Sequence, residues 1–336
     1  MNQTPARVTR TDVARYAGVS TSVVSYVVNE GPRPVAAATA TRVREAIRVL
    51  GYRPNVSARA LRTGSTRMLG LVVPELDNPL WSEIATQVER AAGARGYEVL
   101  ISSSDGDPVV ERDRIRTLSA RQVDGLIVTS VETRPDLSAV ADPGVPMVLL
   151  NTFSLVPDFA SIGVDARRGA REATGHLVEH GHERVGLVIG RGGTSTEARE
   201  AGWRDALRAV ELPDGPIART TFDRPGGYAA GLRMFGDPDH PRAVFVSSDM
   251  QAVGLLRALD ELGLSVPDDV AVVSFDGTIE ADYTTPQLTV VRQPVPAMSA
   301  AAVEWVLTTG GQDTARRQLM APELVLGRSC GCDVAR

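Results

Sequence analysis

Between Ser20 and Asn29 the hydrogen-bonding side chains of this 336-residue chain gather along one side of a helical wheel. At about 100° per residue, Thr21, Ser22, Ser25, Tyr26 and Asn29 share a face, and Val23, Val24, Val27 and Val28 take the opposite one. Hydroxyls, a phenol and an amide on a rigid helix, with no long apolar side chain among them, suit hydrogen bonding to base edges in the major groove of DNA. The valine side needs a partner helix. Asp12 to Ala17 supplies it, with Thr11 placed to cap its start and Gly18 to end it in a left-handed turn. Ser20 then caps the second helix after a very tight turn.

Charge supports a nucleic-acid module at this end. Residues 1–64 hold ten arginines against Asp12, Glu30 and Glu45, a net +7, so the remainder is −12 in a chain of net −5. A basic segment on an acidic body is the electrostatic footprint of a DNA-binding unit attached to something else. The polar start, Met1 to Pro5, has none of the apolar core of a signal peptide, and no run approaches the ~20 apolar residues of a membrane span. A cytoplasmic location follows from this reading.

Catalytic chemistry finds little support. All 36 basic side chains are arginine, which excludes a P-loop lysine, a Schiff-base lysine and a lysine general base. Gly190-Arg191-Gly192-Gly193 departs from a dinucleotide-binding fingerprint and reads as a strand-to-helix turn. His176, His180 and His182 cluster in sequence, and the first two are helically spaced. Metal binding is one reading of them; surface histidines on a helix ending at Gly181 are the preferred one. Cys330-Gly331-Cys332 could bind metal, but a four-ligand zinc site needs partners that the sequence does not display, so reduced, non-catalytic thiols are expected. No catalytic residue, metal site or cofactor is assigned.

The elements that must carry these groups change character along the chain. A third helix carries Val43, Ala46, Ile47 and Leu50 on one stripe and closes at Gly51. The segment 55–66 has helix-forming residues but no core of its own, so it should order only when DNA and a partner copy hold it. From Met68 onward, apolar runs alternate with amphipathic stretches. The runs are 69–73, 99–101, 126–128 and 147–150, then 185–189, 243–246 and 270–273. Unalternated runs suit strands buried on both faces of a parallel sheet, and two series imply two doubly wound lobes. Ligands gather beyond the carboxyl ends of such strands. Following the runs are Asp77-Asn78-Pro79, Ser102 to Asp105, Thr129-Ser130, Asn151-Thr152, Ser247-Ser248-Asp249 and Asp276, groups suited to a polyhydroxylated small molecule. Turn chemistry explains any one of them equally well.

Val8 to Ala14, Ala17 to Ser20, Val24-Ser25, Gly51 to Asn55 and Ala58 to Leu61 resemble the LacI/GalR family of bacterial transcription regulators. Asp77-Asn78-Pro79, Ala201-Gly202-Trp203, Ser248-Asp249 and Phe275-Asp276 continue the likeness in family order, over about residues 8–329. The resemblance implies a helix-turn-helix headpiece (1–54), a hinge (55–66) and a two-lobed core like a periplasmic binding protein (67–336). It also implies a homodimer on a near-palindromic double-stranded operator. Thr21, Ser22 and Tyr26 fall at its base-reading positions, and Thr9, Ser20, Ser25 and Asn29 at phosphate-contacting ones. Arg10, Asn55 and Ala58 belong to the same DNA-binding motifs, and Leu61 matches a leucine that wedges into the minor groove. For a small-molecule effector, a sugar being the best class, it points to Asp77, Asn78, Trp81, Arg199, Ser248, Asp249 and Asp276, with Asn151, Gln293 and Trp203 weaker. Trp81 has a second reading as core, and Arg199 as an exposed helix charge.

Some positions depart from the family pattern. Tyr26 stands where many members carry arginine, so the operator sequence cannot be transferred. Ala36 replaces a capping serine, Ala40 an arginine, and Glu30 to Pro34 is longer than common. No leucine heptad follows Cys332, so a dimer is expected rather than a tetramer. The function expected is a sequence-specific repressor under effector control, and the alternative is a sugar-binding protein without a transcriptional role. Three other classes rank lower: a periplasmic binding protein should have a signal peptide and no headpiece, a dehydrogenase would need a proper dinucleotide loop and a catalytic group, and a nucleoid-architectural protein would bind DNA without effector control.

Overall fold

The computed structural model describes residues 8–29, 33–53, 60, 63–130, 137, 140, 142, 144–152, 159–192, 194–308 and 317–333. Two compact units divide the chain, Met1–Thr66 and Arg67–Arg336.

Among the described residues, the first unit carries α1 (Arg10–Ala17), α2 (Thr21–Asn29) and α3 (Ala37–Leu50). Thr9, and not Thr11, caps α1. Its hydroxyl accepts from the Asp12 amide, and Asp12 Oδ2 reaches back to the Thr9 amide at 2.9 Å and hydroxyl at 2.6 Å. This reciprocal box satisfies two otherwise orphaned groups and starts the helix at Arg10, which leaves Thr11 inside the first turn. Gly18 ends α1 at φ 65°, and its N–H and that of Val19 return to carbonyls of the last turn. Ser20 Oγ then accepts from the Val23 amide at 3.3 Å, capping α2. Val13, Ala14, Ala17, Val24, Val43 and Ala46 form a small shared core, with Val23, Val27 and Val28 packed on it. Ala36 gives α3 no side-chain cap, and Gly51 closes it at φ 64°. Gly64 N–H donates to Ala60 O at 2.8 Å.

The second unit holds two six-stranded sheets. In the first, β1 (Met68–Val73), β2 (Glu98–Ser103), β3 (Gly125–Val128), β4 (Met147–Leu150), β5 (Ala160–Val164) and β11 (Arg317–Met320) run in the order β11-β5-β4-β3-β1-β2. In the second, β6 (Val185–Gly190), β7 (Ile217–Thr220), β8 (Ala243–Val246), β9 (Ala271–Asp276), β10 (Thr289–Arg292) and β12 (Glu323–Val325) run β12-β10-β9-β8-β6-β7. Among the described residues, every pairing is parallel except β10 with β12. All seven runs anticipated from apolarity are strands. The other five carried too little of that signal: β5 is small and polar in part, and β7, β11 and β12 lie at edges where only one side needs covering. β10 is a short run beginning at Thr289.

Helices cover both faces of each sheet. On the first, α4 (Pro79–Gly93) and α11 (Val295–Thr308) lie opposite α5 (Pro108–Ala120). On the second, α6 (Ala166–Glu179) and α7 (Thr194–Arg208) lie opposite α8 (Arg224–Phe235) and α9 (Asp249–Glu261). A short α10 (Ile279–Tyr283) follows β9. One apolar cluster joins the lobes, because the chain passes between sheets three times, at β5–α6, β10–α11 and β11–β12. Glycine sets the closest helix approaches: a Cβ on Gly254 would stand 1.9 Å from Arg224 O, and one on Gly227 2.0 Å from Gln251 O. Gly190-Arg191-Gly192 leaves β6 and turns toward α7 at Thr194, the ordinary turn expected of it.

Candidate functional site

The carboxyl ends of β8, β9 and β10 bring together side chains far apart in sequence. Arg199, on α7, is 3 % exposed and directs Nη2 at Asp276 Oδ1 across 3.2 Å. Gln293, just beyond β10, donates Nε2 to the same oxygen at 2.8 Å. The guanidinium lies 4.1 Å from the Phe275 ring centroid and 5.8 Å from that of Phe222, a stacked cation–π arrangement. Alternation along β9 explains it: Phe275 turns into the α6–α7 face while Asp276 ends the strand. Burial draws the pKa of Arg199 down, against the pull of Asp276 and Asp249. Burial pushes Asp276 up to about 6, opposed by Arg199 and Gln293.

The backbone is strained where the acid sits. Asp276 has φ 114°, followed by Gly277 at φ 74°, where a Cβ would meet Arg292 Cα at 2.6 Å. Non-glycine residues hold such angles only where surrounding contacts enforce them. One enforcing contact is Gln293 N–H donating to Asp276 O at 3.0 Å.

Asp249 is engaged within the fold. It is fully buried and accepts from Ser274 Oγ at 2.6 Å, Thr278 N at 2.6 Å and Thr278 Oγ1 at 2.9 Å. It therefore ties the start of α9 to the loop after β9 and positions Asp276, with no oxygen turned outward. Burial and then the neighbouring Asp276 push its carboxyl up to about 7. Ser248 likewise serves the fold as the cap of α9, accepting from Gln251 N at 3.2 Å. Asn78 caps α4 through Leu80 N at 3.0 Å, and Asp77 is exposed on the loop before it. Trp81 is partly buried and packs against the core cluster. Trp203 is fully buried, donates Nε1 to Val185 O at 3.2 Å, and is a core residue. Arg199 is not an exposed helix charge.

Two buried acceptors stand out. Among the described residues, neither Gln293 Oε1 nor Asn151 Oδ1 has a hydrogen-bond partner, and Asn151 is left-handed at φ 57°. Glu75 also enters the picture. Its carboxyl is held up mainly by burial, with Asp77, Asp223 and Asp105 adding to the shift. Asp223 leads into α8 of the second lobe, so the carboxyl-end loops of the two sheets lie within electrostatic reach. Phe222 and Glu75 carried no spacing signal; only the strand ends they flank could have found them.

On the first unit, Ser20, which caps α2, and Ser22 are exposed, and Thr21, Ser25 and Tyr26 are half-buried. Thr9 and Arg10 are exposed at the start of α1. Asn55, Ala58 and Leu61 lie outside the described residues.

A model for the lacI family of bacterial regulatory proteins matches residues 9–55, and one for a periplasmic binding protein-like domain matches residues 174–330. The ribose operon repressor of Escherichia coli K12 is 33 % identical over 315 residues, 92 % of this chain and 95 % of that protein. The regulator DegA of Bacillus subtilis is 33 % identical over 95 % of this chain and 96 % of its own. The chain belongs to the LacI family. Among solved structures, the Lac repressor dimer bound to operator and an anti-inducer matches with a TM-score of 0.86 at 28 % identity, over 96 % of this chain and 99 % of that one. The CelR–cellobiose complex matches with a TM-score of 0.72 at 29 % identity, over 96 % and 100 %. As a LacI-family member the chain is a DNA-binding transcriptional regulator and not an enzyme, with a helix-turn-helix unit ahead of two parallel-dominated sheets. No described helix is long and apolar enough to cross a membrane.

Proposed function

We propose that this LacI-family regulator is a repressor that acts as a homodimer on a near-palindromic operator, under control of a polyhydroxylated small molecule, a sugar or related metabolite. The observation that carries the effector class is the Arg199–Asp276–Gln293 array. It offers a donor, a carboxylate and an unmatched amide oxygen beside two aromatic rings, a set matched to vicinal hydroxyls on a small ring. Relatives support the choice, since one is a ribose operon repressor and another was solved with cellobiose. Asp276, Arg199 and Gln293 would touch the ligand, Asp77 and Trp81 would approach from the first lobe, and Asn78, Ser248 and Asp249 would hold the loops. No cofactor enters this scheme.

Thr21, Ser22 and Tyr26 would read bases, and Thr9, Arg10, Ser20, Ser25 and Asn29 would contact phosphates. The hinge, with Asn55, Ala58 and Leu61, would order against DNA in pairs. Ligand closure of the lobes would then alter hinge ordering, and a coupling of ~1–3 kcal/mol changes operator affinity about 5–150-fold. Calorimetric titration with pentoses, hexoses, disaccharides and nucleobases tests the ligand class, with gel shifts testing the consequence. Binding of a sugar that shifts operator affinity is expected. Tight binding of a nucleobase, or of no sugar in the panel, would overturn the effector class.

A further inference from the structure

Away from the carboxyl-end cleft, the helix α6 and the chain beyond β12 meet through four side chains. His176 lies in the last turn of α6 and His180 is its C-terminal cap residue, one helical turn apart on the same side. Cys330 and Cys332 come from the segment that follows β12. His176 Nε2 stands 3.2 Å from Cys330 Sγ and 3.5 Å from Cys332 Sγ, and His180 Nε2 stands 3.4 Å from Cys332 Sγ. All four donor atoms lie within 4.8 Å of one another. The Cys-Gly-Cys pair alone could not make a four-ligand site; folding brings in the two imidazoles that complete it.

These separations suit one ion. Zinc bonds of about 2.0–2.1 Å to nitrogen and about 2.3 Å to sulfur, at tetrahedral angles, place nitrogen and sulfur about 3.6 Å apart. The three nitrogen–sulfur distances, 3.2, 3.4 and 3.5 Å, fall just short of that edge, close enough for small side-chain adjustments to seat the ion. Histidines at i and i+4 on one helix present both Nε2 atoms to a common point. Gly331, at φ 91°, gives the left-handed bend that turns both flanking thiols the same way, and its would-be Cβ clears His180 Nδ1 by 3.7 Å.

The surroundings are arranged for a thiolate. Thr289 Oγ1 donates to Cys330 Sγ at 2.9 Å and itself accepts from Gly327 N at 2.9 Å. Hydrogen bonds of this kind orient a sulfur ligand and stabilise its charge. The neighbouring chain is already anchored to the second sheet, with Ser329 Oγ donating to Val272 O at 2.6 Å and accepting from Thr289 N at 2.8 Å. The frame is rigid before any ion arrives.

We propose that His176, His180, Cys330 and Cys332 bind a zinc ion in a closed, structural site that fastens the chain after β12 to the end of α6. Four protein ligands leave no position for substrate, so the ion staples rather than catalyses. Two nitrogens and two sulfurs favour zinc over magnesium or calcium, which prefer oxygen. The cation displaces protons from both thiols as it binds, and no oxidant or reductant is involved.

The full chain, produced in zinc-containing medium and purified under thiol reductant without chelator, should carry one zinc per chain by elemental analysis. Exchange with cobalt(II) should give the intense visible bands of a tetrahedral ion together with thiolate-to-cobalt charge transfer. Cys332→Ser and His180→Ala, both at the surface side of the cluster, should lose the zinc and the cobalt bands while keeping native circular dichroism. Chelation should lower the melting midpoint of the wild type by roughly 5–10 °C and leave the two variants unchanged. Substoichiometric zinc, full zinc in the variants, octahedral cobalt bands, or a Cys330–Cys332 disulfide in the reduced preparation would each overturn the site. Sugar titration of the same samples separates this outcome from that of the effector reading, since the zinc ligands lie outside the array around Asp276.

Discussion

Arg199 and Asp276 meet at 3.2 Å inside the second lobe, 77 residues apart in sequence, with side chains 4 % and 9 % exposed. Desolvating two such charges costs several kcal/mol per ion, and their attraction offsets it only when other hydrogen bonds complete the set. Gln293 provides one, and the Phe275 ring provides a surface for the guanidinium. A buried pair of this kind is costly for stability and well placed for recognising hydroxyl groups.

Removing one partner should therefore be worse than removing both. Asp276→Ala is expected to destabilise the core by ~3–5 kcal/mol, because Arg199 remains charged and buried. Arg199→Met combined with Asp276→Leu should recover much of that loss while abolishing effector binding. Urea unfolding of the two single variants and the double variant makes the comparison. Additive losses would show that the two charges do not depend on one another.

Asp249 predicts a slope of stability with pH. Its folded-state value, pushed up to about 7, lies above the ordinary ~3.9 of an unfolded chain, so the folded state holds the proton more tightly. The stabilisation is complete below about pH 4 and is lost as pH rises through 7. Relative to Asp249→Asn, which cannot ionise, the wild type should lose stability between pH 4 and 8. A constant difference in urea midpoints across that range would show the carboxyl ionised throughout.

The capping box on α1 should be measurable in the intact chain. Thr9→Ala removes the acceptor for the Asp12 amide and half of the reciprocal pair, at a cost of ~1 kcal/mol. Amide hydrogen exchange in the first turn of α1 should accelerate by about fivefold. Thr9→Ser should restore protection. Unchanged exchange in Thr9→Ala would mean that packing alone holds the turn.

Gly227 and Gly254 let α8 and α9 touch backbone to backbone. Gly254→Ala places a methyl against Arg224 O, where neither helix backbone can give, and should cost ~1–3 kcal/mol or more. Gly263→Ala strains a left-handed turn in open space, so it controls for backbone conformation alone. Thermal unfolding should separate the two substitutions. Equal losses would remove the helix approach as the cause.

Operator binding should weaken with salt at a log–log slope of about −0.9 per phosphate neutralised. Leu61→Ala should reduce specific binding far more than nonspecific binding in gel-shift titrations. Equal reductions would refute a wedge at the operator centre.

Local chemistry was enough to read the helix-turn-helix and the seven strands that carry an apolar run. A capping residue, a left-handed glycine and a run of buried β-branched residues each act within a few positions of themselves, so Gly18, Ser20, Gly51 and the run 185–189 declare their roles in one dimension. Thr9 rather than Thr11 is the cap because Asp12, three residues on, closes the reciprocal pair, whereas the residue three beyond Thr11 is Ala14. Tertiary structure alone decided what depends on distant partners. It made Asp249 a buried brace, Trp203 core, and Gln293 a companion of Asp276, and it brought His176 and His180 to Cys330 and Cys332. Those roles depend on desolvation and on crossings between lobes, and neither exists until separate strands and helices are packed into one sheet-and-helix layer.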